Sequence, residues 1–246
     1  MIAKMLLAAI AAGLVAGLLM TGVQQARLVP LILKAEVYEN AEHHDHNAAA
    51  NHAFSLVTPA EAHEMQAAGA DDDGHMLFGL NRYTGSLLAN LVTGAGYGLL
   101  LAAIILLTGH AMTLRSGLAW GACGWLAVHL LPSVGLPPEL PGMPVADLTA
   151  RQVWWVSTVV ASGAGIYLLA LRPESWLKAL GVVLIAFPQA IGAPEPSTID
   201  SLVPATLAAE FTASALASAL FFWLVLGLGM GVLMERAARM ETVGAA

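Results

Sequence analysis

Apolar positions along this chain gather into six runs, at about 4–28, 84–108, 116–133, 152–171, 175–191 and 205–234. A helix that crosses a bilayer needs roughly 17–25 such residues; five of the runs reach that length and the fifth in order is borderline. Backbone groups find no water in lipid, so each run is expected to be helical. The pattern therefore predicts an all-α polytopic membrane bundle of six transmembrane helices. It divides the chain into a first helix over 1–29, a polar loop over 30–83 and a five-helix bundle over 84–246. The first run follows Lys4 but has no small-x-small cleavage site close behind it. It is read as an uncleaved helix rather than a signal peptide.

Composition agrees with the pattern. Of 246 residues, 58% are hydrophobic and 11% charged, with mean hydropathy +0.72; a soluble domain carries about 25% charged residues. The net charge of -7 and the lack of a basic cluster speak against a nucleic-acid partner. The single cysteine, Cys123, cannot form an intrachain disulfide. No glycine loop precedes Lys4, Lys34 or Lys178 in the manner of a P-loop, so the chain has no ATPase motif of its own.

Lys and Arg set the expected orientation. Lys4, Arg115, Arg172, Lys178, Arg236 and Arg239 fall on one side, against Arg27, Lys34, Arg82 and Arg151 on the other. The acids agree: Glu174, Glu235 and Glu241 accompany the first group, and the other 14 of 17 the second. Both termini are thus expected in the cytoplasm, with the loop after helix one outside. Trp154 and Trp155 read as an outer aromatic belt, Trp120 and Trp176 as an inner one, and Arg27 as a cation reaching for the interface.

That outer loop holds the densest chemistry. Six of eight histidines lie between positions 43 and 75. Were the chain helical beyond Pro30, Glu36, Glu39, His43 and His46 would fall at i, i+3, i+7 and i+10, along one stripe. His44, Asp45 and His52 add donors, and His63 and His75 lie downstream. Imidazole with carboxylate suits cobalt, nickel or zinc, and because the ligands must be deprotonated, capture should weaken in mild acid. The bland alternative is a solvated linker. Farther along, Thr58, Pro59 and Glu61 look like a helix start and Gly69 like its stop. His63-Glu64-Met65-Gln66 opens like a zinc-protease motif, but Ala67 stands where the second histidine belongs. With no nucleophile and base in pairing distance along the sequence, the chain is read as not an enzyme.

Two proline-rich outer loops cover 131–143 and 187–200. Pro132 and Pro188 remove donors that the Val128 and Leu184 carbonyls would use. Either the prolines simply end helices and the glutamates are solvated, or freed carbonyls with Glu139 and Glu195 make an oxygen-rich mouth for a cation. Trp120, Pro132, Pro138 and Glu139 recur 56 positions later as Trp176, Pro188, Pro194 and Glu195. That is either a parallel repeat of helices two and three in four and five, or chance. His129, deep in helix three, is a functional site or a neutral ring bonded to a neighbouring helix. Glu210, in the second turn of helix six, is a cation or proton site or a partner for the helix N-terminus. Small residues four apart, at Ala9, Gly13 and Gly17, at Gly94 and Gly98, and at Gly227 and Gly231, let helix backbones approach closely. They fit a channel, a carrier or a homo-oligomer equally well.

The stretches VQQARLVPLILKAEVYE (23–39), LPPELPGM (136–143), ARQVWW (150–155) and IGAP (191–194), with the histidine-rich loop, resemble the CbtA-type predicted cobalt-transport subunits over most of the chain. The resemblance implies a bacterial inner-membrane protein of cobalt uptake, linked to cobalamin supply. It also implies a small single-span partner with a histidine-rich tail, the CbtB type. The segment at 69–83 departs from the family pattern expected before helix two, which affects the role of His75. No catalytic residues and no prosthetic group come with the resemblance. The leading expectation is a permease subunit that collects Co²⁺ on Glu36, Glu39, His43, His44, His46 and His52 and passes it through the Glu139 and Glu195 mouth. A metal-binding scaffold or sensor that moves nothing, or a nickel or zinc permease, is the alternative.

Overall fold

A computed structural model describes residues 2–43 and 82–244. These are helices joined by turns and loops: α1 (Ile2–Val23), α2 (Val29–His43), α3 (Arg82–Thr108), α4 (Leu114–Trp125), α5 (Leu131–Ser133), α6 (Leu148–Leu171), α7 (Ser175–Ile191) and α8 (Ala205–Gly244). Among the described residues, four helical stretches are long and apolar enough to cross a membrane: Ile2–Glu39, Tyr83–Thr108, Leu148–Leu171 and Ala205–Met240. The other two expected spans are present as helix but shorter or less apolar. They are α7 and the α4–α5 stretch.

The first helix does not stop at Pro30. One widened π turn, Gln24–Leu28, joins α1 to α2, with the Val29 N–H donating to the Gln24 carbonyl five residues back. A proline ring clashes with the carbonyl four residues before it and offers that carbonyl no donor. Widening the turn beneath the ring lets the helix run on to His43, giving a rod of about 63 Å at 1.5 Å per residue. That is roughly twice the 30 Å hydrocarbon core. A second π turn, Leu126–Leu130, joins α4 to α5, closed by the Leu131 N–H on the Leu126 carbonyl. Each π turn begins six residues before a proline, Pro30 or Pro132. Past Pro132 and Pro188 the helices end within a turn, at Ser133 and Ile191, the latter with Gly192 at φ +89°.

Glycine decides which helices touch. In the α1–α3 seam a Cβ on Gly13 would strike the Gly94 carbonyl, one on Gly17 the Asn90 carbonyl, and one on Gly98 the Ala9 carbonyl. In the α4–α8 seam Gly117 faces Gly227 and Gly121 faces the Trp223 carbonyl, and in α6–α7 Gly165 faces Gly181. Such bare contacts bring backbones together where lipid supplies no hydrophobic drive between helices. The small residues expected at Ala9, Gly13, Gly17, Gly94, Gly98, Gly227 and Gly231 are all in these seams. In every seam the positions descend on one helix as they rise on the other, so paired helices are antiparallel. α1 also packs antiparallel on α8, with Ala12 against Gly229. α3 packs along α1 and α4 along α8, whereas α6 and α7 pack on each other. The two halves of the 56-residue echo therefore pack differently.

Two apolar clusters stack along the bundle. The larger holds Met5, Ala12, Met20, Ile105, Val128, Trp223, Leu226 and Met230. The smaller joins Leu28, Leu31, Ile32 and Ala35 of the first rod to Leu140, Val203 and Phe211. Met5 and the N-terminus of α1 mark one end; α2 and the proline-rich loops mark the other, the loop end.

A polar clasp crosses the α1–α3 seam beside the first π turn. The Asn90 amide donates to Thr21 Oγ1 at 3.0 Å and to Gln24 Oε1 at 2.6 Å, and Thr21 Oγ1 donates to the Gly17 carbonyl at 3.0 Å. Thr21 and Gln24 are buried. Asn90→Ala should lower stability by about 1 kcal/mol, the scale of such intramembrane bonds, read as an earlier thermal transition in detergent. An unchanged transition would show that the clasp contributes nothing.

Candidate functional site

The segments that carry the family resemblance lie far apart in sequence and meet at the loop end. α2 supplies one wall of this cap. The loop after α5 lies against it: Leu140 is buried among Leu31, Ile32 and Ala35, and Gly142, at φ +78°, sits against the Glu39 backbone. A side chain at Gly142 would meet both the strained φ and the Glu39 backbone. Ser201 Oγ donates to the Gly142 carbonyl at 3.2 Å and Thr212 Oγ1 to the Pro138 carbonyl at 3.1 Å, tying the first proline-rich loop to Ser201, just ahead of α8, and to Thr212 within α8.

Between those loops lies a cleft of about 400 Å³, lined by Glu139, Glu195, Gln189 and the turns Val134–Pro137 and Gly192–Pro196. Glu139 and Glu195, expected to form a mouth, do share one cleft. Glu195 is exposed at its rim, and Glu139 is set deeper. Gln189 Nε2 donates to the Leu131 carbonyl at 2.8 Å, fastening α7 to the start of α5. The Gly135 turn packs directly on the Trp154 ring and Ala193. Trp154 thus supports the cleft, a role its reading as a belt residue did not include.

Glu139 is not a bare carboxylate. Its Oε2 accepts from Arg151 Nη2 at 2.7 Å, with both side chains largely buried. Arg151 stands in the first turn of α6, whose N-terminus Asp147 caps by accepting from the Ala150 N–H at 2.8 Å. Sequence reasoning used Arg151 only to count charges. Its place in ARQVWW, twelve residues past Glu139 around a loop of unknown course, was the only available signal.

The expected histidine stripe is placed in part. Glu36, Glu39 and His43 share the continuous helix α2 at the predicted register, with Glu36 buried. His44, His46, His52, His63 and His75, and the helix expected from Thr58 to Gly69, lie outside the described residues. Among the described residues no three His, Cys, Asp or Glu side chains converge as ligands.

Two further candidates resolve. Trp223 Nε1 donates to His129 Nδ1 at 3.1 Å. An indole nitrogen only donates, so Nδ1 must accept and the ring bonds as a neutral imidazole. This favours the bonded-neighbour reading of His129. The ring lies in the second π turn, with Tyr97 centred 6.3 Å away. Glu210 lines a separate groove of about 360 Å³ with Lys34, Tyr38 and Thr206, between α2 and the start of α8.

No curated protein and no solved structure matches this chain. The family model described as probable cobalt transporter subunit (CbtA) matches residues 2–235. The match takes in both π turns, all three glycine seams and every wall of the cleft. It makes this chain a member of the CbtA family, the probable cobalt transporter subunits.

Proposed function

We propose that this chain is a permease subunit for divalent cobalt in the bacterial inner membrane, crossing the bilayer six times with both termini in the cytoplasm. The observation that carries the reading is the cleft: the family segments 136–143 and 191–194 bring Glu139 and Glu195 to one cleft, 150–155 backs it through Arg151 and Trp154, and the α2 rod, which leads into the histidine-rich segment, packs on the same proline-rich loop at Gly142. The alternating helix directions and the Lys and Arg distribution support six crossings, with the loop end outside. Glu36, Glu39, His43, His44, His46 and His52 collect the ion, and the cleft receives it. Imidazole and carboxylate donors suit Co²⁺, and also Ni²⁺ and Zn²⁺. The membrane potential can drive entry, since two charges across 100 mV correspond to about 4.6 kcal/mol. The family description as a subunit points to a partner, and a small single-span chain with a histidine-rich tail, the CbtB type, fits. Homo-oligomers through exposed lipid-facing helices are a further assembly to test.

Two observations favour a second reading, a metal-binding scaffold or sensor that moves no ion: Glu139 is held by Arg151, and the seams are closed backbone on backbone. Reconstituted flux separates the two. Liposomes holding the purified chain and a Co²⁺-quenched dye should lose fluorescence when an inside-negative potential is applied. No quenching beyond empty liposomes, with or without the single-span partner, supports the scaffold. Independently, His43, His44, His46 and His52→Ala should lower bound cobalt by at least one ion per chain in mass spectrometry, and unchanged stoichiometry would remove that segment from capture.

A further inference from the structure

A cation of the protein's own, Arg151, stands behind the cleft wall against Glu139, outside the cleft lining itself. Arg151 is permanently charged, and its 2.7 Å contact with Glu139 is at charge-assisted length. The two side chains are only 17% and 19% exposed, so solvent and salt screen them less than a surface pair. The guanidinium is also aimed. Arg151 is fixed in the first turn of α6, its N–H donating to the Asp147 carbonyl at 3.0 Å, while the Asp147 carboxylate is spent on the Ala150 N–H. Glu139 therefore faces two ways, toward the cleft it shares with Glu195 and toward Arg151.

An ion that uses Glu139 must compete with that guanidinium. A monovalent ion offers one charge for one charge and forfeits a directed hydrogen bond, so it gains nothing by the exchange. A divalent ion brings twice the charge to Glu139 and can be shared with Glu195 across the cleft. We infer that Arg151 is a tethered counter-ion that holds Glu139 until a divalent cation displaces it, and so bars monovalent cations from the cleft. The inference rests on the reading of this cleft as the cobalt entry site. It makes Arg151 a selectivity-determining residue and not a fold-stabilising one.

The test uses the purified full chain carrying His43, His44, His46 and His52→Ala, so that the cleft dominates. Co²⁺ binding is measured by calorimetry in potassium chloride and in N-methylglucamine chloride at equal ionic strength. With Arg151 in place, the two salts should give the same affinity. Arg151→Gln should bind Co²⁺ about tenfold tighter in N-methylglucamine, the scale of one removed charge contact, and lose about that much in potassium. Arg151→Lys should behave like the parent. Equal, unchanged affinities in Arg151→Gln would overturn the inference. Loss of binding in both Arg151 variants would also overturn it, by showing a purely structural role. If Glu139→Gln and Glu195→Gln leave binding unchanged, or no variant binds, the entry-site reading itself fails, and that outcome is distinct from the failure of Arg151 alone.

Discussion

Gly94→Leu should leave no folded, monodisperse protein in detergent. The α1–α3 seam brings backbone against backbone, and a Cβ on Gly94 would meet the Gly13 carbonyl and the Gly17 nitrogen. Neither neighbour is a flexible side chain that can swing aside, so the helices must separate. Separation would also break the Asn90 clasp on Thr21 and Gln24. Overpacking a core costs about 1–3 kcal/mol where side chains can adjust, and more where only backbone is available to move. Gly227→Leu should do the same at the α4–α8 seam, where the Gly117 carbonyl stands in the way. Gly96→Leu and Gly163→Leu face open space and provide the control. Size-exclusion profiles and thermal transitions decide the matter. Wild-type behaviour in Gly94→Leu would show that the seam is not as close as described.

The second large effect concerns transport. Glu139→Gln with Glu195→Gln replaces two carboxylates by amides of the same size, removing the cleft's two negative charges and the charge that holds Arg151. Cobalt uptake into liposomes should fall at least tenfold, roughly what loss of one charge contact in a partly buried site implies. Glu210→Gln lies in a different groove and should leave uptake near wild type. Equal losses in both would mean that net charge at the loop end, rather than the cleft, governs the ion.

Much of the architecture was written in the apolar runs, because lipid forces every such run into helix. The glycine seams were half visible. Gly13, Gly94 and Gly227 announce themselves by four-residue spacing, but Gly117 and Gly121, at the same spacing, were passed over, and which helix each glycine meets is a tertiary fact. The continuation into α2 was legible only as a condition, because Pro30 reads as a stop. Only the π turn at Gln24–Leu28, which has no hydropathy signature, relieves that proline. The twin arrangement before Pro132 was hidden, since its π turn has no hydropathy signature either.

The candidate site was legible as a pair of acids and illegible as a charge arrangement. Pro138-Glu139 and Pro194-Glu195 stood out through their repetition, and the two glutamates do line one cleft. The repetition did not foretell the packing, since α6 and α7 face each other while α3 and α4 do not. Arg151 could not be matched to Glu139, because a loop rich in proline and glycine gives no register from which to place two side chains.

The most direct measurement is accessibility at the cleft. Ala193→Cys in a Cys123→Ser background puts a single thiol on its wall. A membrane-impermeant maleimide should label this thiol in right-side-out vesicles, and millimolar Co²⁺ should protect it while K⁺ does not. Labelling only in inverted vesicles, or labelling that Co²⁺ leaves unchanged, would contradict an outward cleft that receives the cobalt ion.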